Sequence, residues 1–66
     1  MQIVLNGQAR QVEEQCSITE ILALLELKNQ KIAVEVNREV IPRAKHNSFV
    51  LSSGDQVEII QAVGGG

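Results

Sequence analysis

The spacing of apolar and polar positions changes period several times along the chain, and each change marks an element. Gln2-Ile3-Val4-Leu5 is short, apolar and rich in β-branched residues, so it reads as a strand. Asn6-Gly7 follows, and because both residues tolerate positive φ the pair is a strong two-residue hairpin signal. Gln8 to Glu13 is then the return strand, with Ala9 and Val12 among polar residues. Ser17-Ile18-Thr19-Glu20 has the form of a capping box, in which Ser17 accepts from the Glu20 amide while Glu20 reaches back. Ile18, Ile21, Leu22 and Leu25 recur at helical spacing, with Leu24 and Leu27 at the edges of the stripe. The pattern predicts a helix from about Ile18 to Leu27, and Lys28 suits the negative end of its dipole.

Beyond the helix the period returns to two. Ile32-Ala33-Val34-Glu35-Val36 alternates, Asn37-Arg38-Glu39 is a turn, and Val40-Ile41 is a short strand stopped by Pro42, which has no amide to give a central ladder. Arg43 to Ser48 is polar and reads as a loop or single turn. Phe49, Val50 and Leu51 supply apolar contacts before the turn sequence Ser52-Ser53-Gly54-Asp55. Gln56 to Val63 is the final strand, with Val57 and Ile59 on one face. Two strands, a helix, two strands and a last strand predict an α+β domain, a mixed sheet of four to five strands packed on one main helix. If the crossover is parallel, as right-handed connections allow, the first and last strands lie side by side at the sheet centre.

Composition narrows the function classes. The chain has 66 residues, of which 44% are hydrophobic, so it is one small domain with a modest core and no deep cleft between domains. A net charge of -2 and a single aromatic, Phe49, argue against a nucleic-acid partner. No apolar run is long enough to suggest a membrane span, and no secretory leader pattern opens the chain, which points to the cytoplasm. The lone Cys16 forms no intrachain disulfide, and one Cys with one His falls short of the about four ligands of a structural zinc.

The chain closes on Gly64-Gly65-Gly66. Glycine buries nothing and loses the most entropy on ordering, so residues 64–66 read as a mobile tail outside a folded domain of residues 1–63. A frayed end is the plain reading. The functional one is a substrate arm, since three residues reach about 10 Å at full extension. Without Cβ atoms such an arm enters a channel too narrow for any other residue and delivers the Gly66 carboxylate to another protein's active site.

Several segments together resemble one family. Met1-Gln2-Ile3 with Asn6-Gly7, Ala33-Val34-Glu35-Val36-Asn37, Val40-Ile41-Pro42-Arg43, Gly54-Asp55 and the Gly65-Gly66 terminus are similar to ThiS, the sulfur carriers of thiamine biosynthesis, over essentially the whole chain. The Gly-Gly end alone is common to ubiquitin-like carriers, whereas the combination is more specific. The resemblance implies a ubiquitin-like β-grasp fold and a carrier acted on by enzymes rather than an enzyme. It implies that a ThiF-like adenylyltransferase, using ATP and magnesium, converts the Gly66 carboxylate into an acyl-adenylate. A persulfide sulfur-relay protein then supplies the sulfur of a thiocarboxylate, and a ThiG-like thiazole synthase consumes it. No cofactor is implied to stay bound to the carrier. The chemistry has its own logic, because a carboxylate is a poor electrophile until it carries a good leaving group.

Alternation also predicts a docking face. If Ile3, Leu5, Val34, Val36, Val57 and Ile59 face the helix, then Val4, Ala33, Ile60 and Ala62 form an apolar patch on the open face beside the tail. Cys16, just before the helix cap, reads as a small apolar filler, the alternative being a thiol activated by the helix N-terminus. His46 has no partner at a telling spacing and reads as a solvated loop residue. Arg38, Arg43 and Lys45 form a loose basic cluster, Glu13-Glu14 a charged hairpin end, and Asn37 serves a turn. Two other readings stay open. One is a MoaD-like sulfur carrier of molybdopterin synthesis, whose chains are usually longer and richer in aromatics. The other is a non-carrier β-grasp interaction domain with an idle tail.

Overall fold

The expected strands pair into one sheet. The computed structural model describes residues 1–27 and 31–61. Its elements are β1 (Gln2–Leu5), β2 (Gln8–Gln11), α1 (Ile18–Leu24), β3 (Ile32–Val36), β4 (Glu39–Ile41), a single 3₁₀ turn (Arg43–Lys45) and β5 (Gln56–Gln61). The sheet has five strands in the order β2-β1-β5-β3-β4. β1 and β5 are parallel at its centre and the other pairs are antiparallel, so α1 connects β2 to β3, two strands that run the same way on either side of the central pair.

Three boundaries move. β2 ends at Gln11 rather than Glu13, although the Val12 amide still donates to the Met1 carbonyl at 2.8 Å. Glu39 belongs to β4, opposite Val36, so the second hairpin turns on Asn37-Arg38 alone. The helix stops at Leu24, short of the expected Leu27. Leu25 is its C-cap and Glu26 follows with φ 58. The Glu26 amide donates to Ala23 and the Leu27 amide to Leu22, which is the hydrogen-bond pattern of a Schellman cap. Nothing in the sequence flags that stop, because the left-handed position is held by glutamate instead of the usual glycine. β5 is described as far as Gln61, and the rest of the expected final strand lies outside the described residues.

The core is the inner face of β1, β5 and β3 against α1. Ile3, Val34 and Val57 from the sheet and Ile18 from the helix are essentially inaccessible to solvent. Burying each such side chain contributes about 1.5–3 kcal/mol. Leu5, Val36, Ile21 and Leu22 complete the interface, and Leu51, Ile41, Val12 and Cys16 close its rim. Gln8 and Arg10 of β2 pair with Leu5 and Ile3 and so share the inner face, yet they are exposed.

The helix N-terminus is fully accounted for. Ser17 Oγ accepts from the Glu20 amide at 3.1 Å, and Glu20 Oε1 accepts from the Ser17 amide at 3.2 Å, forming the expected capping box. The Ile18 amide donates to the Phe49 carbonyl and the Thr19 amide to the His46 carbonyl, each at 3.2 Å. The 43–49 loop is therefore docked on the first helical turn. His46 accordingly departs from the expectation of a solvated residue: it is 6% exposed. Its Nε2 lies 2.9 Å from the Ile41 carbonyl, an acceptor, so the ring proton sits on Nε2. Pro42 and the 3₁₀ turn fold the loop back under the end of β4, a placement that no local pattern announces.

Both hairpins turn on an asparagine at positive φ, Asn6 at 48° and Asn37 at 51°, followed by Gly7 at 83° and Arg38 at 70°. At each turn the asparagine side chain makes a hydrogen bond to β5. The Asn37 amide donates to the Gln56 carbonyl at 2.7 Å, and the Gln56 amide returns to Asn37 Oδ1 at 3.0 Å rather than to its carbonyl. Asn37 Nδ2 also donates to Asp55 Oδ1 at 3.1 Å, while Asp55 Oδ2 accepts from the Ser52 amide at 2.8 Å. Two turns at one end of the sheet are thus tied together. Asn37 does serve a turn, and it serves the ladder as well.

Cys16 is 2% exposed, and its Sγ lies 3.6 Å from the Ser17 carbonyl. Burial pushes its thiol above the ordinary range, and the negative charges of Glu20 and Glu13 add to the shift. The helix N-terminus therefore does not activate it. The folded protein holds this proton to higher pH than the unfolded chain does. Stability from this group is complete below the unfolded pKa of about 8.5 and declines as pH rises toward the higher folded value. Cys16 in the folded protein is expected to react with iodoacetamide at pH 8 at least about tenfold more slowly than in the denatured chain, as quenched mass spectrometry will report. Glu26→Gly removes a strained left-handed residue and is expected to stabilise the domain by about 1 kcal/mol in urea denaturation.

Candidate functional site

The outer face of the sheet follows from register. Val4 pairs with Ala9 and Gln56, Glu35 pairs with Glu58 and Val40, and Ala33 pairs with Ile60. Ala33 and Ile60 are therefore neighbours, exposed, and share a shallow recess with Lys31 and Ile32. Ile60 is 49% exposed, and Val40 on the edge strand is 60% exposed. Val4, half-buried, stands elsewhere. It is level with Gln56, and Gln56 and Ile60 are four residues apart on an extended strand, about 13 Å.

Between those two apolar positions runs an acidic row. Glu35 and Glu58 are directly opposed across β3 and β5 and line a recess with Arg38 and Gln56. Like charges in such a position cost about 0.2–1 kcal/mol. The structure thus joins Ala33 to Ile60 and sets Val4 apart from them, where alternation alone had drawn one patch. Ala62, Gly64, Gly65 and Gly66 lie outside the described residues. The loose basic cluster is also distributed: Arg38 is in the β3–β4 turn beside the two glutamates, and Arg43 and Lys45 belong to the 3₁₀ turn.

The end of the sheet from which the chain runs toward its terminal glycines has a particular construction. The pairing of β1 with β5 ends at Leu5 and Val57, but β5 continues to Gln61. The Val4 amide donates to the Asp55 carbonyl and the Asn6 amide to the Val57 carbonyl, each at 2.9 Å. The next rung of a parallel ladder runs from the Ile59 amide to the Asn6 carbonyl. In this structure Asn6 Oδ1 accepts from the Ile59 amide, at 2.8 Å, in the place of that rung. On its other edge β5 pairs with β3 as far as Ile32 and Gln61. The strand leading to the tail is held on both sides to within two residues of its described end. Sequence reasoning saw Asn6 only as a turn residue and missed this second bond, which depends on a strand 53 positions away.

Among the described residues, no group of three or more His, Cys, Asp and Glu side chains is placed to hold a metal ion. No helix there is long and apolar enough to cross a membrane.

Comparison with known proteins agrees with this architecture. The crystal structure of a thiamine biosynthesis protein, ThiS, from Geobacter metallireducens superposes with a TM-score of 0.85 and 32% identity, over 100% of both chains. The sulfur carrier protein ThiS of Escherichia coli is 30% identical over 66 residues, again 100% of each. A thiazole synthase of Paramagnetospirillum magneticum is 32% identical over all of this chain, which spans 20% of that longer protein. A thiazole synthase of Magnetococcus marinus, 35% identical, is likewise matched over 20% of its length. The fold is the β-grasp of the ThiS structure, a mixed five-stranded sheet on one helix. With the ThiS family model matching residues 3–66, the chain belongs to the ThiS family.

Proposed function

We propose that this protein is a sulfur carrier for assembly of the thiazole ring of thiamine, and that it is a co-substrate of its partner enzymes rather than an enzyme. The observation that carries the reading is end-to-end similarity to the sulfur carrier of Escherichia coli, with the terminal glycines inside the matched region. In this reading a ThiF-like adenylyltransferase directs a Gly66 carboxylate oxygen onto the α-phosphorus of ATP, with magnesium, and pyrophosphate leaves. The terminal sulfur of a persulfide on a relay protein displaces AMP and forms an acyl disulfide. A thiol then cleaves that S–S bond, becoming oxidised to a disulfide as the thiocarboxylate is released. The adenylate is needed because a carboxylate resists attack by a sulfur nucleophile.

The thiocarboxylate sulfur passes to a ThiG-like thiazole synthase. Support for that partner comes from the two long thiazole synthase relatives, each of which carries a region similar to this whole chain. ATP supply and the persulfide relay place the cycle in the cytoplasm. Docking falls to the outer face around Ala33 and Ile60, with Val4 at its far margin, and Ala62 is the next candidate in the sequence. The tail residues Gly64, Gly65 and Gly66 enter the partner's channel, since chain without side chains passes where other residues do not.

Incubation with ATP, magnesium, a ThiF-like enzyme and a persulfide donor is expected to give a sulfur-for-oxygen mass gain in the intact protein, and deletion of Gly66 is expected to abolish it. Absence of the gain with a ThiF-like enzyme that activates another ThiS protein counts against the carrier reading. Ile60→Asp is expected to leave the far-ultraviolet circular dichroism unchanged and to weaken binding to the adenylating enzyme by about tenfold or more, measured by calorimetry. Undiminished affinity with intact folding removes Ile60 from the docking face.

A further inference from the structure

We infer that Asn6 is a positioning residue for the C-terminal glycines: its side-chain oxygen anchors the β1-facing edge of β5 at Ile59, on the strand that leads to them. The inference rests on the carrier reading, because only a delivered terminus gives that anchor functional weight.

The argument is one of ladder accounting. β5 outruns its β1 partner, so from Glu58 onward its β1-facing edge has passed the last paired residues, Leu5 and Val57. The Ile59 amide faces that edge, and Asn6 Oδ1 accepts its proton at 2.8 Å. On the opposite edge Ile32 is paired with Gln61. Without the Asn6 bond, β5 beyond Val57 is held on the β3 side only, and its end opens more often, so the glycines are less firmly anchored. A less firmly anchored terminus has a lower effective concentration at a partner's active site and pays more ordering entropy on entry.

Asparagine is the residue that meets both demands at this position. It tolerates φ 48°, and it carries an acceptor of the right length to reach the Ile59 amide. The two demands are separable. Asn6→Gly keeps the positive φ and deletes the acceptor, whereas Asn6→Asp keeps both. Gln8 to Gln11 report independently on whether the hairpin survives, since β2 pairs with β1 alone.

The test is amide hydrogen exchange on the free proteins, followed by adenylation kinetics with the ThiF-like enzyme. In Asn6→Gly, the amides of Ile59 to Gln61 are expected to exchange about five- to tenfold faster, the worth of one net hydrogen bond, with the β1–β2 amides unchanged. KM for the carrier is expected to rise about fivefold, with kcat within about twofold of wild type, and Asn6→Asp to restore both measurements. Unchanged exchange at Ile59 in Asn6→Gly overturns the anchor. Faster exchange with an unchanged KM overturns the positioning role, and failure of Asn6→Asp to rescue overturns the assignment to the acceptor oxygen. If wild type is not adenylated at all, the carrier reading fails, and exchange at Ile59 decides the anchor by itself.

Discussion

The fold depends on keeping β5 hydrogen-bonded on both edges, because β5 is the central strand and joins its two flanking hairpins. Both neighbours turn away from it at an asparagine: β1 at Asn6, and β3 at Asn37. In each case the asparagine side chain accepts from a β5 amide. Both bonds lie at the exposed margin of the strand, where each contributes about 0.5–1.5 kcal/mol net, still a noticeable share of the stability of so small a domain. Two turn residues therefore do the work of two ladder rungs, and Asn37 extends its tie to Asp55.

The helix obeys the same accounting. Its N-terminal amides are satisfied partly from within, by the Ser17–Glu20 capping box, and partly by carbonyls of His46 and Phe49 from a loop about thirty residues along the chain. That loop has little apolar surface of its own apart from Phe49. It is held by these bonds and by the His46 contact with the Ile41 carbonyl. At the other end the helix closes with a Schellman cap built on Glu26. A chain of 66 residues has only a modest core, so polar satisfaction at the ends of elements carries an unusual share of the specification.

The outer sheet face works the opposite way. Glu35 opposite Glu58 lowers stability, and exposed Val40 and Ile60 bury little within the monomer. This face therefore adds little to the stability of the domain, and it is the face on which the proposed docking rests. The inner face of the same strands holds the core, so alternation separates the stabilising positions from the exposed ones.

Much of this was legible in the residues. Strand alternation in β1, β3 and β5, the helical stripe from Ile18, the Asn6-Gly7 turn and the Ser17–Glu20 box all act over a few residues, where local chemistry decides. So did the resemblance to ThiS, which rests on short motifs spread along the chain. What the sequence did not reveal involves residues far apart. The burial of His46, the separation of Val4 from Ile60 and the second role of Asn6 all follow from strand register and loop docking, which bring together groups up to 53 positions apart. The helix stop at Glu26 is local but lacks its usual glycine, and the cap hydrogen bonds to Ala23 and Leu22 hold glutamate where propensity disfavours it. The sequence by itself determined which segments become strands and helix, because backbone preference and hydrophobic period are properties of neighbours. Only the tertiary structure decided which amides those segments leave unpaired and which distant side chains answer them, because that depends on where chain ends meet in space.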